Sequence, residues 1–405
     1  MASTTAPKLA GQNTPDSISN SASKPERLVS LDVFRGLTIA LMILVNNAGS
    51  PAYWPLQHAA WNGWTLTDMV FPSFLFIMGV AMTFSFAARA LRQEPRGKLV
   101  GHLFRRAAIL FFLGLVVNGF PHYHLHTFRI LGVLQRIALC YLSGGLLYLW
   151  LAGKPVRTRV LTLANVAFVL IAGYAALLKF FPVPGFGPNR MDPMGNLGAY
   201  LDRIILTTKH MYTGGVAPAG YEGNGIVYDP EGLLSTLPAI ANVLIGLLAG
   251  EWLRSPAPGA KKALKLAAAG VVLFLLGYLF HPWMPFNKRI WTSTFVLLTT
   301  GFSLMVFSFC YWVVDLRRWR GWIAPALFFG TNAILAYTVS ELLAPSLDLI
   351  HVGTSNLTVH GWALNHLFLS WLSPINASLG YAIGLVLLHL AIVAVFYRKR
   401  IFLRI

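Results

Sequence analysis

Residues 46–79 read NNAGSPAYWPLQHAAWNGWTLTDMVFPSFLFIMG. A polar loop holding one histidine, His58, joins two long apolar runs, 31–48 and 69–88. Each run is near the ~20 residues with which an α-helix crosses the hydrocarbon of a bilayer. The stretch therefore predicts two membrane spans and a polar connection at the membrane boundary. The same pattern recurs along the chain, and ten helices are expected at about 31–48, 66–88, 103–119, 131–152, 160–181, 232–253, 264–280, 290–314, 322–344 and 376–397.

Composition agrees. The 405 residues are 56% hydrophobic and only 11% charged, against about a quarter charged in a soluble domain. The expected fold class is all-α, a polytopic membrane protein of about ten spans, or eleven if a re-entrant helix is included. The net charge of +18 invites a nucleic-acid partner, but its distribution argues against one. With the N-terminus inside, 23 of the 32 Lys and Arg fall in cytoplasmic segments and 6 in outer ones. That bias is the positive-inside rule, so the charge reads as topology, with both termini cytoplasmic. Cys140 and Cys310 lie in apolar runs and read as small core residues.

Residues 1–27 are rich in Ser, Thr, Ala and Pro and have no apolar h-region, so they read as a disordered cytoplasmic tail. Residues 28–405 read as one transmembrane domain. Two long outer loops interrupt it, 182–231 and 345–375, and long loops beside a membrane site often form a lid or a substrate surface. The second contains WALNHLFLSWL, too short to span.

The candidate chemistry starts at His58. A neutral imidazole accepts a proton from an amine or hydroxyl, and a carboxylate such as Asp68, ten residues on, would hold its tautomer. Asn46 and Asn47, at the end of the first apolar run, offer amide N–H groups to a developing oxyanion. Asp32 and Arg35 share a helix face and suit an ion pair. Arg136, inside a span, needs a counter-charge or a ligand anion. Tyr228, Asp229 and Glu231 form a compact acidic turn that suits either sugar hydroxyls or an ammonium, or else a helix cap. Asn287, Lys288 and Arg129 are expected on the same side, and Asn332 places an amide at membrane depth. The alternating His122, His124 and His126 suggest a metal, but no companion cluster supports one, and none is expected. No phosphate-cradling loop, dinucleotide fingerprint or serine elbow is present.

The segments SLDVFRG, LVNNAG, HAAWNG with TDMVFPSFLFIMG, RILGVLQRI, YDPEGLL and PFNKRIWT occur in this order. Together they resemble the heparan-alpha-glucosaminide N-acetyltransferase family and its bacterial relatives, from Leu31 to the end of the ninth helix. The resemblance implies a transmembrane acyltransferase that takes acetyl-CoA from the cytoplasm and acetylates an amino sugar on the far side. It implies His58 as the active histidine and Asn46 as the catalytic asparagine, with Asp68 in support and Asn47 a rival. CoA is expected near Arg35, Arg105, Arg106, Arg136 and Asn332. The sugar is expected near Asn47, Trp61, Asn62, Arg129, Asp229, Glu231, Asn287 and Lys288. The lumenal N-terminal region of the animal enzymes is not expected here, and a bacterial inner membrane is the implied location. The alternative is an amino-sugar transporter without acetyl transfer. A homodimer is kept as an option.

Overall fold

The structure is a computed structural model that describes residues 28–353 and 356–403. The expected tail, 1–27, lies outside the described residues. The helices, in order, are α1 (Val29–Asn47), α2 (Leu66–Leu91), α3 (Arg96–Gly119), α4 (Val133–Trp150), α5 (Val156–Phe180), α6 (Leu197–Ile205) and α7 (Thr236–Leu253). They continue with α8 (Gly259–Phe280), α9 (Ser293–Tyr311), α10 (Ala324–Thr331), α11 (Ala333–Leu349), α12 (Val359–Ala363) and α13 (Pro374–Arg398). Among the described residues nine helices are long and apolar enough to cross a membrane, and the count reaches ten if the bent pair α10–α11 is one span. The protein is an all-helical integral membrane protein.

The spans sort by enclosure. α2 and α7 are the most buried, whereas α3, α5 and α8 leave most of their apolar surface outward. In lipid, apolar surface alone does not hold helices together, so close backbone packing has to. Glycines provide it here. A Cβ on Gly79 of α2 would stand 2.1 Å from the Val243 carbonyl oxygen of α7, and one on Gly246 of α7 would stand 2.3 Å from that of Phe76. α1 and α10 touch the same way, Gly36 against Ala326 and Gly330 against Asp32.

One expectation is corrected. The ninth span, expected as one helix over 322–344, is two helices bent by 82° at Asn332. Gly330 seats its backbone against α1, and Asn332 leaves the helical conformation, so the chain turns there. The outer loop 182–231 carries one short helix, α6, whose start Asn196 caps by accepting from the Ala199 N–H. The WALNHLFLSWL segment folds as the short α12 and a wide turn over Leu364–Leu369.

α2 is the axis of the arrangement. It packs against α1, α4, α7 and α9. Its 26 residues are about 39 Å long, which exceeds the ~30 Å hydrocarbon layer. Both ends of one helix therefore reach the two membrane boundaries.

Candidate active site

One cavity of about 990 Å³ runs beside α2, lined from Asp68 at one end of that helix to Arg89 at the other. Those residues are about 32 Å apart along the helix axis. Phe71, Phe74, Ile77, Met78, Ala81 and Met82 line its middle. The two polar ends are built differently.

At the first end the loop folds back on the start of α2. Asp68 is 1% exposed and its Oδ2 accepts from the backbone N–H groups of Thr65 (3.1 Å) and Ala59 (3.2 Å). This is a helix-capping carboxylate. Its other oxygen, Oδ1, accepts from His58 Nδ1 at 2.6 Å. Thr65 in turn donates its hydroxyl to the Gln57 carbonyl at 2.6 Å, which pins the residue before His58. The carboxylate fixes the proton on Nδ1 and leaves Nε2 as the basic nitrogen. His58 lines the cavity and its side chain keeps 46% of its surface open, so Nε2 is accessible.

Lys288 closes the group, with Nζ 3.5 Å from Asp68 Oδ1 and 3.3 Å from His58 Nδ1. Burial lowers the His58 pKa below its ordinary 6.5, and the Lys288 charge pushes the same way, against the Asp68 hydrogen bond. Burial likewise lowers the pKa of Lys288, opposed by Asp68. The imidazole is therefore neutral at neutral pH, the form that accepts a proton.

The acidic turn completes this end. Arg129 holds Asp229 at 2.8 Å and Glu231 at 2.5 Å, and its guanidinium lies 4.5 Å from the centre of the Tyr212 ring. Burial opposes the Glu231 charge, but Arg129 outweighs it and keeps the carboxyl below its usual range. Asp202 of α6 supports the turn from behind by accepting from the Leu233 N–H at 2.9 Å, and burial raises its pKa to about 7. Glu231, Arg129, Trp61 and Asn46 all line the cavity.

At the second end Arg35, Arg89 and Arg106 line the cavity. Arg35 pairs with Asp32 at 3.0 Å and donates to the Gly330 carbonyl at 3.1 Å. Arg106 lies 4.8 Å from the centre of the Tyr141 ring, and Arg89 reaches Glu94 at only 3.5 Å. The C-terminal segment closes over this end: Asn332 donates to the Ile401 carbonyl and accepts from the Leu403 N–H, both at 3.2 Å, and Phe402 and Leu403 line the cavity.

The expected residues divide accordingly. The first end gathers His58, Asp68, Asn46, Trp61, Arg129, Glu231 and Lys288, and the second gathers Arg35 and Arg106. Several others sit apart. Asn47 donates back to Ile43 of its own helix at 2.8 Å. Asn62 accepts from Asn287 at 3.2 Å, a clasp between two loops. Asp229 is buried behind Arg129, and Arg105 borders a smaller adjoining pocket. Asn332 serves the C-terminal segment. Arg136, expected among the CoA-facing arginines, lies at the opposite end, because it is only three residues into α4. It bonds Ser235 and the Gly232 carbonyl and lies 4.9 Å from the centre of the Trp291 ring. Its partners are Gly232 and Ser235, which directly follow the acidic turn at the His58 end.

Arg89 and Glu341 line the cavity without having been expected there. Glu341 had a legible signal: a carboxylate inside an apolar run is by itself a pointer to function. Arg89 had none, since it reads as one more flanking arginine. Among the described residues no group of three His, Cys, Asp or Glu is placed to hold a metal ion.

Comparison with known proteins bears on this site directly. Residues 27–191, which carry Asn46, His58 and Asp68, match the family described as heparan-alpha-glucosaminide N-acetyltransferase, catalytic. The mouse protein named heparan-alpha-glucosaminide N-acetyltransferase is 31% identical over 364 residues, covering 79% of this chain and 54% of that protein. The human protein of that name is 30% identical over 358 residues, covering 78% and 53%. The chain spans about half the length of the curated relatives it matches.

Proposed function

The chain belongs to the heparan-alpha-glucosaminide N-acetyltransferase family, and on that premise we propose that it moves an acetyl group across a membrane. The donor is cytoplasmic acetyl-CoA and the acceptor is the amine of a glucosamine-type sugar on the other side. One observation carries the reading: a single cavity as long as a bilayer is thick has a positioned base at one end and arginines at the other. The arginine end suits the phosphates of CoA, and the apolar middle suits an extended, uncharged arm. The excess of Lys and Arg on the loops at that end makes it the cytoplasmic side, and a bacterial inner membrane is the location we infer.

The chemistry assigns each group a step. His58 Nε2 takes the proton from the sugar amine as its nitrogen attacks the thioester carbonyl. The amide N–H of Asn46 donates to the oxygen that gains charge. When the C–S bond breaks, the electron pair leaves with sulfur and His58 returns the proton to it. Asp68 keeps Nδ1 protonated throughout, and Lys288 disfavours a lasting imidazolium.

The test is purified protein with labelled acetyl-CoA and glucosamine. Labelled N-acetylglucosamine that disappears in His58→Ala supports the enzyme. Sugar flux into proteoliposomes without acetyl-CoA, unchanged by the same substitution, would replace it with the carrier reading. A label retained on the protein when no sugar is present would convert direct transfer into a two-step route through acetyl-histidine.

A further inference from the structure

We propose that Glu341 receives the ammonium of the acceptor and gives the site its preference for an amine; this rests on the amino-sugar reading above. α11 turns one face to the cavity: Ala333, Ile334, Tyr337 and Glu341 line it, at the spacing of a single helical stripe. Glu341 reaches the site from a part of the chain far from the His58 loop and meets it at Asn46, whose Nδ2 lies 3.4 Å from Oε1.

The other carboxylates at this end are already partnered. Asp68 has His58, two backbone N–H groups and Lys288. Asp229 and Glu231 share Arg129. Glu341 has, among the described residues, only the Asn46 amide, at a distance long for a hydrogen bond, and no cation within ion-pair reach. The nearest charge of opposite sign, Arg129, acts on Glu341 only at a distance and is already paired with Asp229 and Glu231, whose own charge opposes that of Glu341. A carboxylate so placed on an apolar span is costly, and a cationic ligand removes that cost. A sugar amine, with a pKa of roughly 8 like an α-amino group, arrives largely as that cation below neutral pH.

Charge also orients the approach. Lys288 and Arg289 line the cavity on the His58 side and repel an ammonium. Glu341 and Asn46 form the wall where it is welcome. Glu341 takes the ammonium's extra proton and releases it to solvent. The neutral amine then stands beside Asn46, the residue that would stabilise the oxyanion, and gives its second proton to His58 as it attacks.

Equilibrium binding of glucosamine and of N-acetylglucosamine to the purified full chain tests this without turnover. N-acetylation replaces the ammonium with a neutral and larger amide, so the pH dependence of the preference is what isolates the charge. At pH 7.5 the wild type should prefer glucosamine, and the preference should fade as pH rises past ~8. Glu341→Gln keeps an oxygen for Asn46 but removes the charge. It should weaken glucosamine about tenfold, the size of one lost charge-assisted hydrogen bond, and change N-acetylglucosamine less than about twofold. Glu341→Asp, which keeps the charge, should retain the preference. Absence of any preference in the wild type, an unchanged glucosamine affinity in Glu341→Gln, or equal losses for both sugars would overturn the proposal. Failure of acetyl transfer in the wild type would instead remove the enzyme reading and leave the binding result standing.

Discussion

The two ends of the cavity solve different problems. At the His58 end the base and its supports are held by short directional contacts: Nδ1 to Asp68 at 2.6 Å, Asp68 to two backbone N–H groups, Glu231 to Arg129 at 2.5 Å. At the Arg89 end only Arg35 is held closely, by Asp32 and the Gly330 carbonyl, while two arginines are held more loosely, Arg89 at 3.5 Å from Glu94 and Arg106 over the Tyr141 ring. Proton transfer demands placement within tenths of an ångström, whereas attraction of phosphates falls off slowly with distance. A site that binds at one end and reacts at the other needs precision only at the second.

The largest effect should come from breaking the precise end. His58→Ala or Asp68→Asn should lower kcat by roughly 10²–10⁴, with little change in the KM for acetyl-CoA, measured by steady-state kinetics. The connection between the ends comes next. Ala81→Trp, filling the lumen midway, should lower turnover by about 10² while leaving glucosamine affinity intact, because donor and acceptor would no longer meet. At the loose end, Arg89→Ala or Arg106→Ala should raise the KM for acetyl-CoA about tenfold each, with a salt dependence and little change in kcat.

The pH response gives a finer contrast. On the proposed mechanism neutral His58 is the active form, and burial lowers its pKa below the ordinary 6.5, so the acid limb of kcat/KM should fall below that pH. Lys288→Met removes a charge that opposes the imidazolium, so the limb should move up, toward 6.5. Neither arginine variant should move it. The smallest effect concerns the support behind the precise end. Asp202 has a folded pKa of about 7 against 3.8 for the free group. The folded state thus favours its protonated form, and the stability this gives is complete below 3.8 and lost as pH rises through 7. Asp202→Asn should abolish that decline, adding at most about 4 kcal/mol at pH 8 relative to wild type and almost nothing near pH 4, read from thermal unfolding at the two pH values.

Much of this was legible before any coordinates. The apolar runs marked nearly every span, and the pairing of His58 with Asp68 was open to expectation from residue type and proximity, while the weight on His58 as a catalytic group came from the family resemblance. The break at Asn332 was not, because 322–344 is apolar throughout and nothing local marks where α1 and α10 must touch. Arg136 was assigned to the wrong end for a related reason: an arginine in a span says that a partner exists, not which one. Asn46 and Asn47 were indistinguishable as letters, and only the helix rotation turns Asn46 to the cavity and Asn47 back to Ile43.

The sequence by itself determined an all-helical membrane protein with a histidine-bearing polar loop, because hydropathy and the length of a span are properties of the chain one segment at a time. Only the tertiary structure decided that His58, Lys288 and Glu231 face one lumen, that Glu341 joins Asn46 from a separate helix, and that the arginines open onto the same space some 32 Å away. Those are pairings between distant segments, set by which helix faces pack together, and no single segment carries that information.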